Sequence, residues 1–458
     1  MRAAPEVMSG PGSPGYRADA CADGEPAGSA AAGPVRWVWI VLVLAVCHAA
    51  AVASFQVLSV LVSSIKSALA VSDVQYSLMQ GFAVAIFASL LGIPAATVAD
   101  RGNRRLVVLV GVIVWAAATV GCAFVRGFDG LFAARMLVGL GEVFLYPSAL
   151  SMIADVAPQG RLSSAIGAFG CGGPVGAALA LIGGGWLLRN APRFAFIFPG
   201  LAPWRVVFLL CGVFGVLAAV LLLTVAEPKH RGRAEGSGVG IGGTLRYMLE
   251  HGRLFAGVSG GMLALSFCVF ATASWSPTML VRDHAMSYPS AGAVTGAAAL
   301  VGGVLGAWSC GLLSDWIESL GRRDAALRVS VGVALAFLLA IPGAALARSA
   351  GSATACVWIS YSLLGMPTVL GGTALQQISP APMRAQVMAI QVLLVNLLAL
   401  SLGPLAVAAL TDGVFGDPRA VGYALVLTVG AGALAAIAGF LVSRRGFLGD
   451  RTGCGTRR

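Results

Sequence analysis

The chain has 458 residues, of which 58% are hydrophobic and only 11% are charged, and its mean hydropathy is +0.87. A soluble domain carries about 25% charged residues, so this composition excludes a water-soluble globular protein. Twelve membrane-spanning helices would use roughly 240 residues, which predicts an all-α polytopic membrane protein. The net charge of +11 does not indicate a nucleic-acid partner, because basic residues of membrane proteins gather in cytoplasmic loops.

The nine cysteines and four histidines form no metal-ligand pattern. No CxxC pair is present, and the histidines are widely scattered. We therefore expect no metal and no cofactor, and we interpret most of the cysteines as small buried apolar residues.

The predicted organisation is a tail, six helices, a linker, six more helices and a second tail. Residues 1–34 are rich in Ala, Gly and Pro, which predicts a disordered cytosolic tail. Apolar runs follow at about residues 36–62, 75–99, 105–126, 128–153, 162–188, 205–226, 254–281, 289–316, 326–348, 353–378, 385–411 and 419–443. A polar linker, 228–253, separates the predicted bundles 35–227 and 254–444, and 445–458 form a cytosolic tail.

The placement of lysine and arginine predicts the orientation. With both termini on one side of the membrane, that side holds 21 of the 30 basic residues and the other side holds 8, while Arg135 lies inside a helix. The positive-inside rule therefore places both termini in the cytosol, with the protein in the cell (inner) membrane.

The two predicted bundles repeat the same features in the same order and at nearly the same separation. The matches are Asp100 with Asp315, Arg161 with Arg384, and Gly173-Pro174 with Gly403-Pro404. Duplicated six-helix halves are typical of a transporter that works by alternating access around a central site.

At these residues the chain resembles the major facilitator superfamily. Asp100-Arg101-Gly102-Asn103-Arg104-Arg105 corresponds to that superfamily's Asp-Arg-x-Gly-Arg-Arg loop, with Asn103, which tolerates a left-handed turn, in place of glycine. A closer likeness, to the spinster-like branch, rests on Met79-Gln80-Gly81-Phe82, on Arg135 to Glu142, and on Asn396 to Asp412. The resemblance implies twelve helices in two pseudo-symmetric bundles and proton-linked carriage of amphipathic or anionic solutes, lysolipid-like molecules among them.

Two charges lie well inside an apolar helix, Arg135 and Glu142. A charge at the bilayer centre costs about 2.5–3.5 kcal/mol, which makes both residues functional candidates. We expect Glu142 to couple transport to protons. For Arg135 the resemblance implies a structural or a proton-transfer role, and its guanidinium would also suit one acidic group of the cargo. Spinster-like proteins usually carry Asp-Arg in the first helix, where this chain has Ser54-Phe55. A proton-independent uniporter, or an antiporter or efflux carrier, is therefore the alternative.

The loop signature predicts a conformational latch at the cytosolic rim. In each half, an acidic residue and nearby arginines would pair in only one of two conformations. The predicted latch residues are Asp100, Arg101, Arg104, Arg105, Asp315, Arg322 and Arg323. The alternative for these basic residues is that they only orient the helices.

A few polar side chains inside the apolar runs are candidates for lining the substrate cavity: His48, Gln56, Tyr146, Tyr361, Gln376 and Asn396. Each could instead form a hydrogen bond between helices. The scarcity of charge favours a small amphipathic or organic-anion solute as the partner, together with protons and membrane lipid, for a protein that we expect to be a monomer.

Other classes of membrane protein find less support. An enzyme would need a catalytic set of residues within the bilayer, and none is recognisable, so we expect no enzyme activity. A channel would call for a repeated filter. ATP-driven transport within this chain is excluded because the GxxxxGK[ST] loop is absent.

Overall fold

The computed structural model describes residues 34–158, 161–190, 193, 199–228, 241–322 and 324–453. The predicted N-terminal tail therefore lies outside the described residues, apart from Pro34. The predicted latch residue Arg323 also lies outside them, as do the side chains of Asp100 and Arg101.

Twelve helices in the described part of the chain are long and apolar enough to cross a membrane, as predicted. They are α1 Arg36–Leu69, α2 Asp73–Gly92, α3 Arg104–Cys122, α4 Phe128–Val156, α5 Ser164–Asn190, α6 Pro203–Leu223, α7 Gly252–Arg282, α8 Tyr288–Ser319, α9 Ala325–Ala345, α10 Ala350–Ile378, α11 Gln386–Phe415 and α12 Pro418–Arg444. The helix that contains α2 continues to Arg101. The predicted linker contains a further helix, Ile241–Glu250, which we call the linker helix.

The helices form two bundles of six. In the first half α3 packs against α4 and α6, and α1 packs against α5; in the second half α12 packs against α7 and α9. Because consecutive helices alternate in direction, the turns after α2, α4, α8 and α10 share one side with the linker. We call that side the tail face and the other side the opposite face.

The hydrophobic core shows where the halves join. One buried cluster runs through both halves and contains Leu58, Tyr76 and Leu181 of the first half beside Trp275 and Ala291 of the second. A separate cluster, whose buried members all belong to the first half, fills the tail-face ends of α1, α3 and α6. The halves therefore share a core toward the opposite face, whereas toward the tail face the first half has a core of its own.

Two prolines interrupt α4 and α10 at equivalent places. The first segment of α4 ends at Glu142 and the next begins at Leu145, two residues before Pro147. In α10 the corresponding break follows Leu363, and Pro367 lies four residues after it. Proline lacks an amide proton and its ring clashes with the carbonyl four residues earlier, which accounts for both breaks.

Single turns of π-helix occur in the helices at which the halves meet, α2, α5, α8 and α11. They span Leu78–Phe82 in α2, Leu179–Gly183 in α5, Ala298–Gly302 in α8, and Val395–Ala399 and Leu410–Phe415 in α11. The π turn of α5 and the second π turn of α11 begin five and six residues after Pro174 and Pro404, so these two turns follow the internal repeat. Such turns are frequent at functional sites.

Glycines bring helices of different halves into backbone contact. A Cβ atom on Gly81 of α2 would lie 2.3 Å from the carbonyl oxygen of Leu400 in α11. That carbonyl lacks its ordinary helical donor, because residue 404 is a proline. In the same way a Cβ on Gly292 of α8 would lie 2.2 Å from the carbonyl oxygen of Leu181 in α5. These two contacts allow the halves to close tightly.

Candidate transport site

Ion pairs bind the halves together at the opposite face. Asp73, at the start of α2, is fully buried; both of its carboxylate oxygens accept from Arg282 at the end of α7, at 2.8 and 3.0 Å. Lys66 of α1 lies 2.5 Å from the same carboxylate. Nearby, the backbone amide of Val74 donates to Asp412 of α11 at 3.0 Å. We call these four side chains, Lys66, Asp73, Arg282 and Asp412, the seal.

A second layer of hydrogen bonds between the halves lies beneath the seal. Gln80 of α2 donates to the hydroxyls of Ser59 and Ser274, at 2.9 and 3.1 Å, and so connects α1 with α7. Gln56 donates to the carbonyl oxygen of Ala273 at 3.0 Å. Ser77 donates to the carbonyl oxygen of Pro404 at 3.1 Å, beside the glycine contact of α2 with α11. These bonds satisfy polar groups that the bilayer interior would otherwise leave unpaired.

Toward the tail face the structure contains a cavity of about 510 Å³ at the end of α10. Its lining residues are Val369, Gly372, Thr373, Gln376, Gln377 and Arg384. The polar contacts between the halves therefore lie toward the opposite face, whereas this cavity lies at the tail face.

Arg135 is fully buried in the first bundle. Its Nη1 donates to the carbonyl oxygen of Ser54 at 3.1 Å, and its guanidinium carbon lies 6.0 Å from the centre of the Phe55 ring. Its Nε and Nη2 are buried, and each lacks a hydrogen-bond partner among the described residues. Ser54 and Phe55 stand where spinster-like proteins usually have Asp-Arg, so Arg135 faces the position of the missing acid.

Glu142 lies at the break in α4 and is half-buried. Its Oε1 atom is buried and makes no hydrogen bond within the described part of the chain. One turn further, Tyr146 is 51% exposed. Tyr146, His48 and Phe169 form an aromatic cluster, in which the His48 ring stacks on Phe169 with ring centroids 4.8 Å apart and meets the Tyr146 ring edge-on at 5.8 Å. The structure therefore brings together two predicted cavity residues, His48 and Tyr146, near the predicted proton site.

The other predicted cavity residues lie apart from this cluster. Gln56 belongs to the hydrogen-bond layer under the seal. Tyr361 is buried within the second bundle. Gln376 lines the cavity at the end of α10. Asn396 is half-buried in a π turn of α11.

Arg104, a predicted latch residue, is fully buried, and its ion pairs and hydrogen bonds within the described residues join it to the first half and to the first residue of the linker. It forms ion pairs with Asp155 at the end of α4 and with Glu227 after α6, the latter at 3.0 Å. It also donates to Ser151 and to the carbonyl oxygen of Pro228. Arg104 therefore joins the tail-face ends of α3, α4 and α6, an arrangement that we call the first clasp.

The residues next to Arg104 support the same end of α3. The Arg105 amide donates to Glu227 at 2.7 Å, and its guanidinium donates to the carbonyl oxygen of Leu223. Asn103 has an extended backbone (φ −76°, ψ 102°), not the left-handed turn that it would tolerate, and its side chain accepts from the Leu106 amide at 2.9 Å. Asparagine is a good N-cap, which explains how it replaces the signature glycine.

The second half has a clasp at the equivalent place, built from other residues than the predicted ones. Asp324, just before α9, is 2% exposed; it accepts from Arg328 at 2.7 Å and from Arg444 at the end of α12 at 2.6 Å. Burial alone would raise the pKa of Asp324, but hydrogen bonds and charges from the two arginines outweigh it and lower the pKa. The predicted latch residues Asp315 and Arg322 are exposed.

The seal is the functional feature that the sequence pattern did not reveal. Asp73 follows Ser72 in a capping box with Gln75, so in the sequence it resembles an ordinary acidic residue in the first turn of a helix. Arg282 lies 209 residues away. The sequence does contain a signal for this pair. An acidic residue stands at the start of α2 and a basic residue at the end of α7, and both of these helix ends lie on the opposite face.

Comparison with known proteins agrees with this architecture. The chain matches the sequence profile of the Major Facilitator Superfamily over residues 44–404. An MFS-type efflux pump of Mycolicibacterium smegmatis is 30% identical over 380 residues, which cover 81% of this chain and 84% of that protein. Protein spinster homolog 3 of Danio rerio is 30% identical over 190 residues, 40% of this chain and 36% of that protein.

Solved structures show the same fold. The structure of a bacterial homolog of the human lysosomal transporter Spinster, inward-facing and unoccupied, has a TM-score of 0.73 and 24% identity, over 92% of this chain and 98% of that one. A D-xylose-proton symporter has a TM-score of 0.63 and 17% identity, over 88% and 97% of the two chains.

Proposed function

The chain belongs to the major facilitator superfamily of membrane transporters, and we propose that it moves a small amphipathic or organic-anion solute as a secondary active transporter. The observation that carries this proposal is the seal, in which a fully buried Asp73 of one half binds Arg282 of the other. It closes one face of a molecule whose cavity lies at the other face.

Alternating access follows from the kind of contact at the seal. An ion pair between rigid bundles exists in one arrangement and is broken in the other, so it biases an equilibrium between two states. Removing one partner of a buried pair leaves a charge without compensation, at a cost of about 3–5 kcal/mol. The free energy lost when the seal opens must therefore be recovered from contacts that form elsewhere in the molecule. We assign those contacts to the tail face, with Asp100 and Arg101 as latch residues.

Glu142 is the proton-coupling group in this proposal. Its buried Oε1 makes no hydrogen bond within the described residues, and it lies at a helix break close to exposed Tyr146. A carboxyl group in such surroundings is stable when neutral and needs water or a cation when charged. A rearrangement at the break would change its hydration, and with it the ease of proton release. Arg135, seven residues earlier, is the nearest buried cation on the same helix.

The side chains toward the tail face favour an amphipathic or anionic solute. In the aromatic cluster, Phe169 is fully buried against His48, and the 51% exposed Tyr146 offers an apolar ring with a polar hydroxyl edge. Arg384 in the cavity of α10 supplies a positive charge.

An efflux carrier without proton coupling through the first helix is the second candidate. The first helix has Ser54-Phe55 where spinster-like proteins have Asp-Arg, and the relative in M. smegmatis is an efflux pump by name. The two candidates differ in whether Glu142 carries a proton and in the direction of net transport.

Proteoliposomes with an imposed pH gradient separate these candidates. Radiolabelled lysophospholipids and carboxylic acids serve as probes, and pyranine trapped inside reports proton movement. We expect Glu142→Gln to abolish uphill accumulation and proton movement while it retains solute exchange at equal pH. Glu250→Gln, which removes an exposed carboxylate of the linker helix, is the control and should leave both unchanged. Accumulation by the Glu142→Gln protein at the wild-type level would exclude Glu142 as the coupling group.

A further inference from the structure

The cavity at the tail-face end of α10 has one wall made by a single stripe of that helix. Its helical lining residues are Val369, Gly372, Thr373, Gln376 and Gln377, which follow the spacing i, i+3, i+4, i+7, i+8 of one helix face. Arg384, beyond the end of α10, completes the lining. The wall from Val369 to Gln377 is about 12 Å long.

The polarity of this wall changes along the helix. Since α10 runs toward the tail face, Val369 lies nearest the middle of the membrane, Thr373 follows, and the two carboxamides and the guanidinium lie at the rim. A molecule that fits this gradient has an apolar part directed into the membrane and a polar head at the tail face.

The rim has the chemistry of an anion site. The Nε of Arg384 donates to the carbonyl oxygen of Ser379 at 3.2 Å, which orients the guanidinium. Arg384 forms no ion pair with an acidic side chain in the part of the chain that the structure describes. The carboxamide NH2 groups of Gln376 and Gln377, which also line the cavity, are hydrogen-bond donors to an anionic head. A guanidinium without a carboxylate partner, beside two carboxamides, is suited to bidentate binding of a carboxylate or phosphate.

The internal repeat shows that the fold does not require the three polar side chains of the helix wall, Thr373, Gln376 and Gln377. Arg161 and Arg384 occupy matching loops of the two halves. When the halves are aligned on these two arginines, Thr373, Gln376 and Gln377 correspond to Leu150, Ile153 and Ala154 of the first half. The first half folds into the same bundle with apolar residues at these positions, so their polarity in the second half calls for a separate reason.

We propose that this cavity is an anion subsite, in which Arg384, Gln376 and Gln377 bind the carboxylate or phosphate head of an amphiphile whose chain lies along Thr373, Gly372 and Val369. As the docking point of the carried solute, it rests on the proposed transport function. The same head chemistry also belongs to phospholipids of the tail-face leaflet.

Equilibrium binding to the full chain in phosphatidylcholine nanodiscs tests the subsite. The probes are radiolabelled dodecyl phosphate and dodecanol, measured by scintillation proximity against empty discs. Arg384→Gln should weaken dodecyl phosphate binding by about tenfold, since a hydrogen-bonded charge is lost, and should leave dodecanol binding unchanged. Gln377→Leu should reduce the same affinity by a smaller factor. The control is Arg246→Gln, which removes an 80% exposed charge of the linker helix.

The outcomes separate the subsite from the transport function, because binding at equilibrium needs no turnover. Unchanged dodecyl phosphate affinity in Arg384→Gln would overturn the subsite, as would an equal loss in Arg246→Gln or a parallel loss of dodecanol. If the predicted losses occur, phosphatidylglycerol added to the discs identifies the source. Displacement of the probe assigns the subsite to lipid heads, and the absence of displacement assigns it to the solute. Whether a protein with an intact subsite also transports the solute is measured separately, in the proteoliposome assay.

Discussion

The role of each charged residue discussed above depends on whether its side chain is buried. Arg135 and Glu142 could be identified from the sequence because a charge within an apolar run is conspicuous. The partner of Arg135, however, could not be identified from the sequence. Contact of Arg135 with Ser54 depends on the packing of α1 against α4. Asp73 and Asp283 lie at helix ends, where acidic residues are ordinary, so only the folded structure shows that Asp73 is buried and that Asp283 is half-buried, with its Oδ1 atom inaccessible.

Asp283 gives a pH dependence that can be measured. It follows α7, its Oδ2 accepts from the Gly422 amide at 2.9 Å, and its Oδ1 is buried without a partner among the described residues. Burial raises the pKa of Asp283 to about 7, an effect opposed by the Gly422 amide and by Arg282 and strengthened by Asp417. Since the folded pKa lies above the unfolded one, this carboxyl favours the folded state at low pH and loses that contribution as the pH rises toward 7.

We therefore expect Asp283→Asn to raise the Tm relative to the wild type, by an amount that grows between pH 4 and about pH 7 and is constant above it. Thermal unfolding of the detergent-solubilised protein across this range provides the measurement. Asp129→Asn, at an exposed position on the same face, is the matched control. A Tm difference that does not vary with pH would show that the Asp283 carboxyl does not titrate in this window.

At the scale of helices, interruptions follow the repeat. The breaks at Pro147 and Pro367 recur in both halves, as do the π turns that follow Pro174 in α5 and Pro404 in α11. The helix count and most boundaries could be predicted, because apolar runs and charged loops determine them. The breaks in α4 and α10 were open to prediction from their prolines. The π turns were not, because no residue pattern in the chain marks where a helix gains one residue in a turn.

Gly81 provides a test of the contact between the halves. A larger side chain there would collide with the Leu400 carbonyl, so Gly81→Val should disfavour the state sealed on the opposite face. Double electron–electron resonance between spin labels at Ala68 and Ser287, both exposed on that face, should show a shift of the population to longer distances.

Gly92→Val is the matched control, because a Cβ at Gly92 meets no atom within 4 Å. It should retain the distance distribution of the unsubstituted glycine. Equal distributions for Gly81→Val and Gly92→Val would mean that the contact of α2 with α11 does not hold the sealed state.

At the scale of the whole molecule, the unequal distribution of basic residues predicts the orientation. The side that carries both termini holds 21 of the 30 lysines and arginines, and the structure places the exposed Arg322 and Arg384 at that tail face. We expect a green fluorescent protein fused after Arg458 to fluoresce, since it folds in the cytosol, and alkaline phosphatase at the same position to be inactive. Active phosphatase there would reverse the assignment of the two faces.

The repeat itself was recognisable in the sequence, and with it the two-bundle plan. The arrangement in which the two halves are sealed on the opposite face could not be predicted from the sequence, because the seal joins Asp73 and Arg282 across 209 residues. Local patterns predict helices and bundles, whereas the relative position of two bundles depends on a few distant contacts.

The two clasps, finally, have opposite polarity. Arg104 at the start of α3 meets Glu227 after α6, whereas the equivalent start of α9 has Asp324, which meets Arg444 of α12. A misplaced α12 would set Arg444 against Arg104, and a misplaced α9 would set Asp324 against Glu227. Because like charges repel each other, the opposite polarity of the two clasps disfavours the exchange of closing helices between the halves and so adds to the specificity of each bundle.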